Sequence, residues 1–189
     1  IDKIQEFKRF LAFIGEITLD GLQLIRRPKQ IAWRSIIANM EATGVYALPI
    51  IALLSFLIGV VLAYQMGQQL KNYGANIYIV DLLGISILRE FSPLITAIII
   101  AGRSGSAFTA QLGTMKIREE IDALRTMGVA PSQLLILPKM AAMIVVLPLL
   151  TVWSSVFGVF GGMVMSKSML HSTFVDFLHR FYQAIEVAS

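Results

Sequence analysis

The sequence predicts an all-α integral membrane protein. Three observations carry this: 56% of the 189 residues are hydrophobic, only 15% are charged, and two uncharged runs are long enough to cross a bilayer. A soluble domain carries about 45–50% apolar and about 25% charged residues, and the mean hydropathy of +0.72 agrees with the membrane reading.

The first uncharged run, 42–70, is 29 residues long. At about 1.5 Å rise per residue, part of it suffices for a hydrocarbon core of roughly 30 Å, and 47–66 is predicted as a span. Pro49 stands near its start, where a missing N–H costs least. The second run, 140–166, is 27 residues long and contains Pro148, a candidate kink. The stretch 77–115 is apolar but carries Asp81, Arg89, Glu90, Pro93 and Arg103. As one straight helix it would be 39 residues long, more than a single crossing needs. It is therefore divided at Arg89 into a short outer segment, 77–88, and a crossing helix, 91–115.

Charge placement orients the three spans. Of 16 Lys and Arg, seven precede residue 35 and four fall in 116–139, so both stretches are expected on the cytoplasmic side. Residues 1–41 read as an amphipathic interfacial helix and a connecting segment. Ile1, Ile4, Phe7, Leu11 and Ile14 form its helical apolar stripe, Arg26-Arg27-Pro28 breaks it, and Trp33 is an interfacial anchor. Packing against another protein domain is the competing reading. Ile1 in place of Met implies that the true N-terminus is missing.

Small residues recur at four-residue spacing: Ala101, Gly105, Thr109 and Gly113, with Gly102, Ser106 and Ala110 beside them, and then Ser154, Gly158, Gly162 and Ser166. Such rows let helix backbones approach closely in lipid. Gly102, Gly105, Gly158 and Gly162 are the expected packing positions.

Several chemistries are excluded or weak. Cysteine is absent, so no disulfide scaffold or thiolate chemistry is available, and His171 and His179 lack the spacing and carboxylate company of a metal site. Gly102-Arg103-Ser104-Gly105-Ser106 imitates a nucleophile elbow, which would need glycine where Ser106 stands. No Walker A sequence and no Gly-rich dinucleotide turn occurs. No cofactor is expected in this chain, and energy must come from a partner chain or an ion gradient. Aromatic residues do not interleave with the basic ones, so no nucleic acid is expected as a partner.

The intramembrane charges are the informative feature, because an ionised side chain at the bilayer centre costs at least about 2.5–3.5 kcal/mol. Counting back from Met115 puts Arg103 roughly 18 Å and Glu90 roughly 38 Å along the helix. Arg89 and Glu90 point about 100° apart on a helix and cannot simply pair. Arg89 either meets a phosphate in a cavity or caps the span with Glu90 at the outer interface; Arg103 reads as structural. Residues 116–128 form a predicted short amphipathic helix on Ile117, Ile121 and Leu124, ended by Gly128. Lys116, Arg118, Glu119, Glu120, Asp122 and Arg125 decorate it. Its clean stop favours docking of a soluble partner over a solvated loop.

The run from Leu88 to Ala97 (Leu-Arg-Glu-Phe-Ser-Pro-Leu-Ile-Thr-Ala), then Ala-Gly-Arg-Ser-Gly-Ser-Ala at 101–107, Glu-Glu-Ile-Asp-Ala-Leu-Arg-Thr-Met-Gly-Val-Ala-Pro at 119–131 and Leu-Pro-Leu-Leu at 147–150 closely resemble the MlaE/YrbE family of lipid ABC-transporter permeases. The likeness covers about 42–166. It implies an MlaE-type permease fold with an interfacial N-terminal helix, about five membrane helices, three of them present here, and a cytoplasmic coupling helix. It also implies a multi-pass protein of the bacterial inner membrane that forms homodimers. Its implied partners are an ABC ATPase holding the ATP, a periplasmic MCE-domain protein and, in many members, a STAS-domain subunit. On this likeness, Arg89 and Glu90 border a phospholipid cavity and 116–128 couples to the ATPase; Gln65, at the outward end of the first span, and Arg103 are expected to join the lipid-binding residues. Residues 42–166 are then the permease core and 167–189 the outer connection to missing C-terminal spans. A scaffold anchoring an MCE protein and a small-solute ABC permease are the alternatives.

Overall fold

The computed structural model describes residues 2–26, 33–72, 79–128 and 130–170. Asp2–Arg26 is helix α1, and its Phe7, Phe10, Leu11, Phe13 and Ile14 are all exposed. The predicted break at Arg27-Pro28 lies outside the described residues, as do His171, His179 and the segment 171–189.

The connecting segment predicted around Trp33 is instead helical. Pro49 has no N–H to offer the carbonyl of Val45, and the chain answers that loss locally. The N–H of Leu48 takes the Val45 carbonyl, closing a 3-10 turn at Val45–Ala47 between α2 (Trp33–Gly44) and α3 (Leu48–Asn72). The result is a span-length helical run, Trp33–Leu70, of 38 residues.

The predicted break at Arg89 does not occur. Helices α4 (Ile79–Ser86), α5 (Ser92–Ile99) and α6 (Ser106–Ile117) join through π turns at Ile87–Phe91 and Ile100–Gly105. They make one run, Val80–Ile117, of 38 residues. At about 1.5 Å per residue it measures roughly 57 Å, so its ends stand clear of a bilayer that is about 40–45 Å thick with its headgroups. Length alone therefore did not require a division. A third run, Ser132–Ser168, spans 37 residues. It combines a π turn at Ser132–Ile136 with α8 (Leu137–Leu170), which carries Pro148 in its interior. Among the described residues there is no strand.

Two of the π turns share a cause. A proline removes the donor for the carbonyl four residues back and its ring crowds that carbonyl. For Pro93 the affected carbonyl is Arg89, and for Pro138 it is Leu134; each lies in the middle of a π turn. The widened turns close with Ser92 N–H donating to the Ile87 carbonyl and Leu137 N–H to the Ser132 carbonyl, one residue further back than an α-helix would reach.

The described residues fall into two compact units. One comprises Gly44–Arg103 with the described part of Leu147–Ser189. Its core contains Ala63, Val80, Leu83 and Ile87, against which Leu62, Met66, Val159 and Met163 pack. The Ser55 and Ser154 hydroxyls hydrogen-bond at 2.7 Å, and a Cβ on Gly59 would fall on the carbonyl oxygen of Gly158. Contacts that advance together in this way make α3 and α8 parallel. Ile87 meets Gly158 and Leu83 meets Gly162, so the helix between them runs the opposite way. The other unit comprises the described parts of Ile1–Thr43 with Ser104–Val146. There α1 packs on the start of the third run, with Gly21 facing Leu137.

Candidate functional site

The buried face of the second run steps Leu83, Ile87, Ser92, Thr96, Ile100, Ser104. Every step is four residues except Ile87 to Ser92, which is five. The π turn supplies that extra residue, since its bonding reaches five residues instead of four. Without it, Phe91 would take the buried position and the face beyond would rotate. With it, Ile87 and Ser92 stay in the core while Arg89 and Glu90 are both exposed on the same turn. Among the described residues neither forms an ion pair. Thr96 anchors the next turn by donating its hydroxyl to the Ser92 carbonyl at 2.8 Å.

Gln65 is exposed on α3, one residue after Tyr64, whose hydroxyl accepts a hydrogen bond from Gln68 at 2.8 Å. No hydrogen bond joins Gln65 to Arg89 or Glu90 among the described residues. Arg103 is exposed on the second π turn and is engaged in interactions of its own.

The predicted helix over 116–128 is two elements instead of one. Lys116 and Ile117 end α6, Arg118 and Glu119 turn, and α7 covers Glu120–Thr126. Glu119 has φ 58°, the only left-handed non-glycine among the described residues. Amphipathic spacing continues across the turn, so periodicity could not show it. The turn is closed by Arg118 N–H to the Thr114 carbonyl at 3.0 Å and Glu119 N–H to the Lys116 carbonyl at 3.2 Å. Gly128, at φ 74°, ends the segment by donating to the Arg125 carbonyl at 3.0 Å. Arg118 pairs with Glu120 at 3.8 Å and Arg125 with Asp122 at 3.6 Å, all four side chains well exposed. Ile117 is 84% and Met127 67% exposed, so the loop presents apolar as well as charged surface.

The four glycines expected at helix contacts divide into two pairs. At Gly158 an added Cβ would sit 2.8 Å from the Ile87 Cγ2, and at Gly162 it would collide with the Leu83 side chain. At Gly102 and Gly105 nothing lies within 4 Å. Two closer approaches were not predicted: Gly59 on Gly158, and Gly161 on the Phe56 carbonyl. Gly161 stands one position before Gly162 of the expected row, and only the partner helix reveals that it faces inward. Sequence reasoning also passed over Lys139, which it counted merely as a cytoplasmic charge. Its ammonium donates to the Gln111 Oε1 at 2.6 Å and lies 4.4 Å from the Phe108 ring centroid.

A family model described as Permease MlaE matches residues 36–189. The chain belongs to the MlaE permease family. Among its relatives is a probable ABC transporter permease protein of Synechocystis, 34% identical over 86% of this chain and 61% of that protein. The chloroplast protein TRIGALACTOSYLDIACYLGLYCEROL 1 of Arabidopsis thaliana is 33% identical over 85% of this chain and 47% of its own length. The intermembrane phospholipid transport system permease protein MlaE of Haemophilus influenzae is 36% identical over 67% of this chain and 49% of its own. This MlaE-family chain spans between about half and two thirds of the length of these relatives. Three span-length helices and membership of a permease family make it a multi-pass membrane protein.

Proposed function

We propose that this chain is the core of a permease subunit of an ABC transporter that moves phospholipid-like lipids between a bacterial inner membrane and a periplasmic carrier. The observation that carries the reading is the π turn that holds Arg89 and Glu90 outward on a span-length helix whose opposite face is buried. Charged groups on such a helix persist only where they are hydrated or partnered, and guanidinium suits a phosphate in two-pronged fashion. Arg89 is the headgroup contact, Glu90 a counter-charge beside it, and Gln65 and Arg103 further polar lining. The phospholipid transport in the name of the Haemophilus relative supports the substrate class.

ATP is hydrolysed by a partner ATPase docked on the loop of Lys116, Arg118, Glu119, Glu120, Asp122 and Arg125. An MCE-domain protein receives or delivers the lipid outside, and a STAS-domain subunit is a further partner. Two copies form the cavity. The row of Ala101, Gly105, Thr109 and Gly113, open on this chain's own side, is the surface offered to the second copy.

Glu90→Lys in the full transporter tests this reading. Lipid transfer is expected to fall at least about tenfold, equivalent to ~1.4 kcal/mol, with membrane insertion and ATPase binding intact. Photo-crosslinkers at Gln65, Arg89 and Glu90 are expected to capture lipid. Capture only from exposed positions in 140–166 would place the cavity elsewhere.

A further inference from the structure

We propose that Lys139, held by Gln111 and Phe108, binds the phosphate of a net-anionic lipid in the cytoplasmic leaflet, at a site separate from Arg89 and Glu90. The three residues lie within one compact unit of the chain. Gln111 is six residues before the end of α6 at Ile117, about 9 Å along the helix. Lys139 is seven residues beyond Ser132, where the third run begins, about 10 Å along it. Two independent counts thus set the ammonium at one depth. The second run overhangs the bilayer by about 6–8 Å at each end, so that depth falls within the headgroup layer, itself roughly 5–8 Å thick, where the lipid phosphates lie. Helix α1 supports the placement: it packs beside Leu137, two residues from Lys139, and leaves Phe10, Phe13 and Ile14 exposed as an interfacial helix would.

The ammonium is positioned as well as placed. Gln111 Oε1 accepts one of its three N–H groups at 2.6 Å, and the Phe108 ring lies 4.4 Å away. A cation over an aromatic face is attracted by the ring quadrupole, so the side chain is kept from extending freely toward the cytosol. Its charge is not neutralised by either partner. The loop's ion pairs, Arg118 with Glu120 and Arg125 with Asp122, leave Lys139 out, and among the described residues it has no carboxylate partner. The remaining donors face a layer whose abundant anion is the lipid phosphodiester, and basic pockets between membrane helices on this side bind anionic headgroups. Inorganic phosphate offers similar oxygens but would have to enter from water beside exposed apolar surface, so the lipid is the favoured occupant.

The test uses the full transporter complex, delipidated in detergent and titrated separately with phosphatidylglycerol and phosphatidylcholine, with bound lipids counted by native mass spectrometry. Wild type is expected to prefer phosphatidylglycerol, Lys139→Gln to lose that preference about fivefold, as one Lys near a membrane surface is worth, and Lys139→Arg to retain it. Equal binding of the two lipids by wild type overturns the proposal, even if a variant fails to fold. So does an unchanged preference in folded Lys139→Gln. Displacement of phosphatidylglycerol by equimolar inorganic phosphate would overturn lipid as the occupant. Lipid capture at Arg89 and Glu90 is read separately by crosslinking, so either result can fail without the other.

Discussion

The hydroxyl oxygens of Ser55 and Ser154 lie 2.7 Å apart, both residues fully inside the protein. Each satisfies the other where neither water nor lipid could. The bond marks the start of a close parallel contact between α3 and α8, which one turn later brings Gly59 against the backbone of Gly158. Between membrane helices such hydrogen bonds are worth only about 0.6 kcal/mol on average, so backbone proximity and packing must supply most of the attraction.

Glycine substitutions should therefore separate sharply. Gly59→Ala and Gly161→Ala place a methyl group on a backbone carbonyl, which cannot rotate aside, and each is expected to destabilise the chain by about 1–3 kcal/mol or more. Gly102→Ala and Gly105→Ala meet open space and should be neutral or stabilising by up to about 1 kcal/mol. Reversible unfolding in mixed micelles measures the difference. On the proposed homodimer, Gly105→Leu should weaken association of copies while leaving each chain folded, as size-exclusion chromatography with light scattering would show.

Deleting Phe91 tests the role of the first π turn. The deletion converts the five-residue step from Ile87 to Ser92 into a four-residue step, so Ser92, Thr96 and Ile100 keep the buried face in an ordinary α-helix. Expression and insertion should survive. Pro93 would then crowd a tighter turn, and Arg89 and Glu90 would be re-aimed, so lipid crosslinking from these two positions is expected to drop severalfold. Undiminished crosslinking would mean that the turn serves packing alone.

The loop offers a contrast between strain and charge. Glu119 holds a left-handed backbone that costs an ordinary residue about 1–2 kcal/mol. Glu119→Gly should stabilise the turn and preserve stimulation of the partner ATPase. Glu119→Lys with Glu120→Lys keeps the strain, reverses two charges and should abolish co-purification or turnover. Gly128→Ala, at φ 74°, should loosen the end of α7 at a cost of about 1 kcal/mol. If Glu119→Gly uncouples as strongly as the double reversal, the side chain and not the turn makes the contact.

What the sequence determined by itself is what composition and long periodicity encode. Apolar runs around 47–66 and 140–166 are long because hydrocarbon forces every backbone group to bond within its own helix, so their helical state could be read directly. The motif around Leu88-Arg89-Glu90 likewise pointed to the family before any coordinates. Only the tertiary structure decided phase and partnership. One inserted residue at Ile87–Phe91 chooses which side chains face the core, and a single left-handed Glu119 divides a spacing that looked continuous. Gly59 and Gly161 matter where Gly102 and Gly105 meet nothing, although all four are the same residue type on apolar helices. A row of small residues records only that close approach is possible, because the energy of approach belongs to the atoms of the facing helix, which lies about a hundred residues away in sequence.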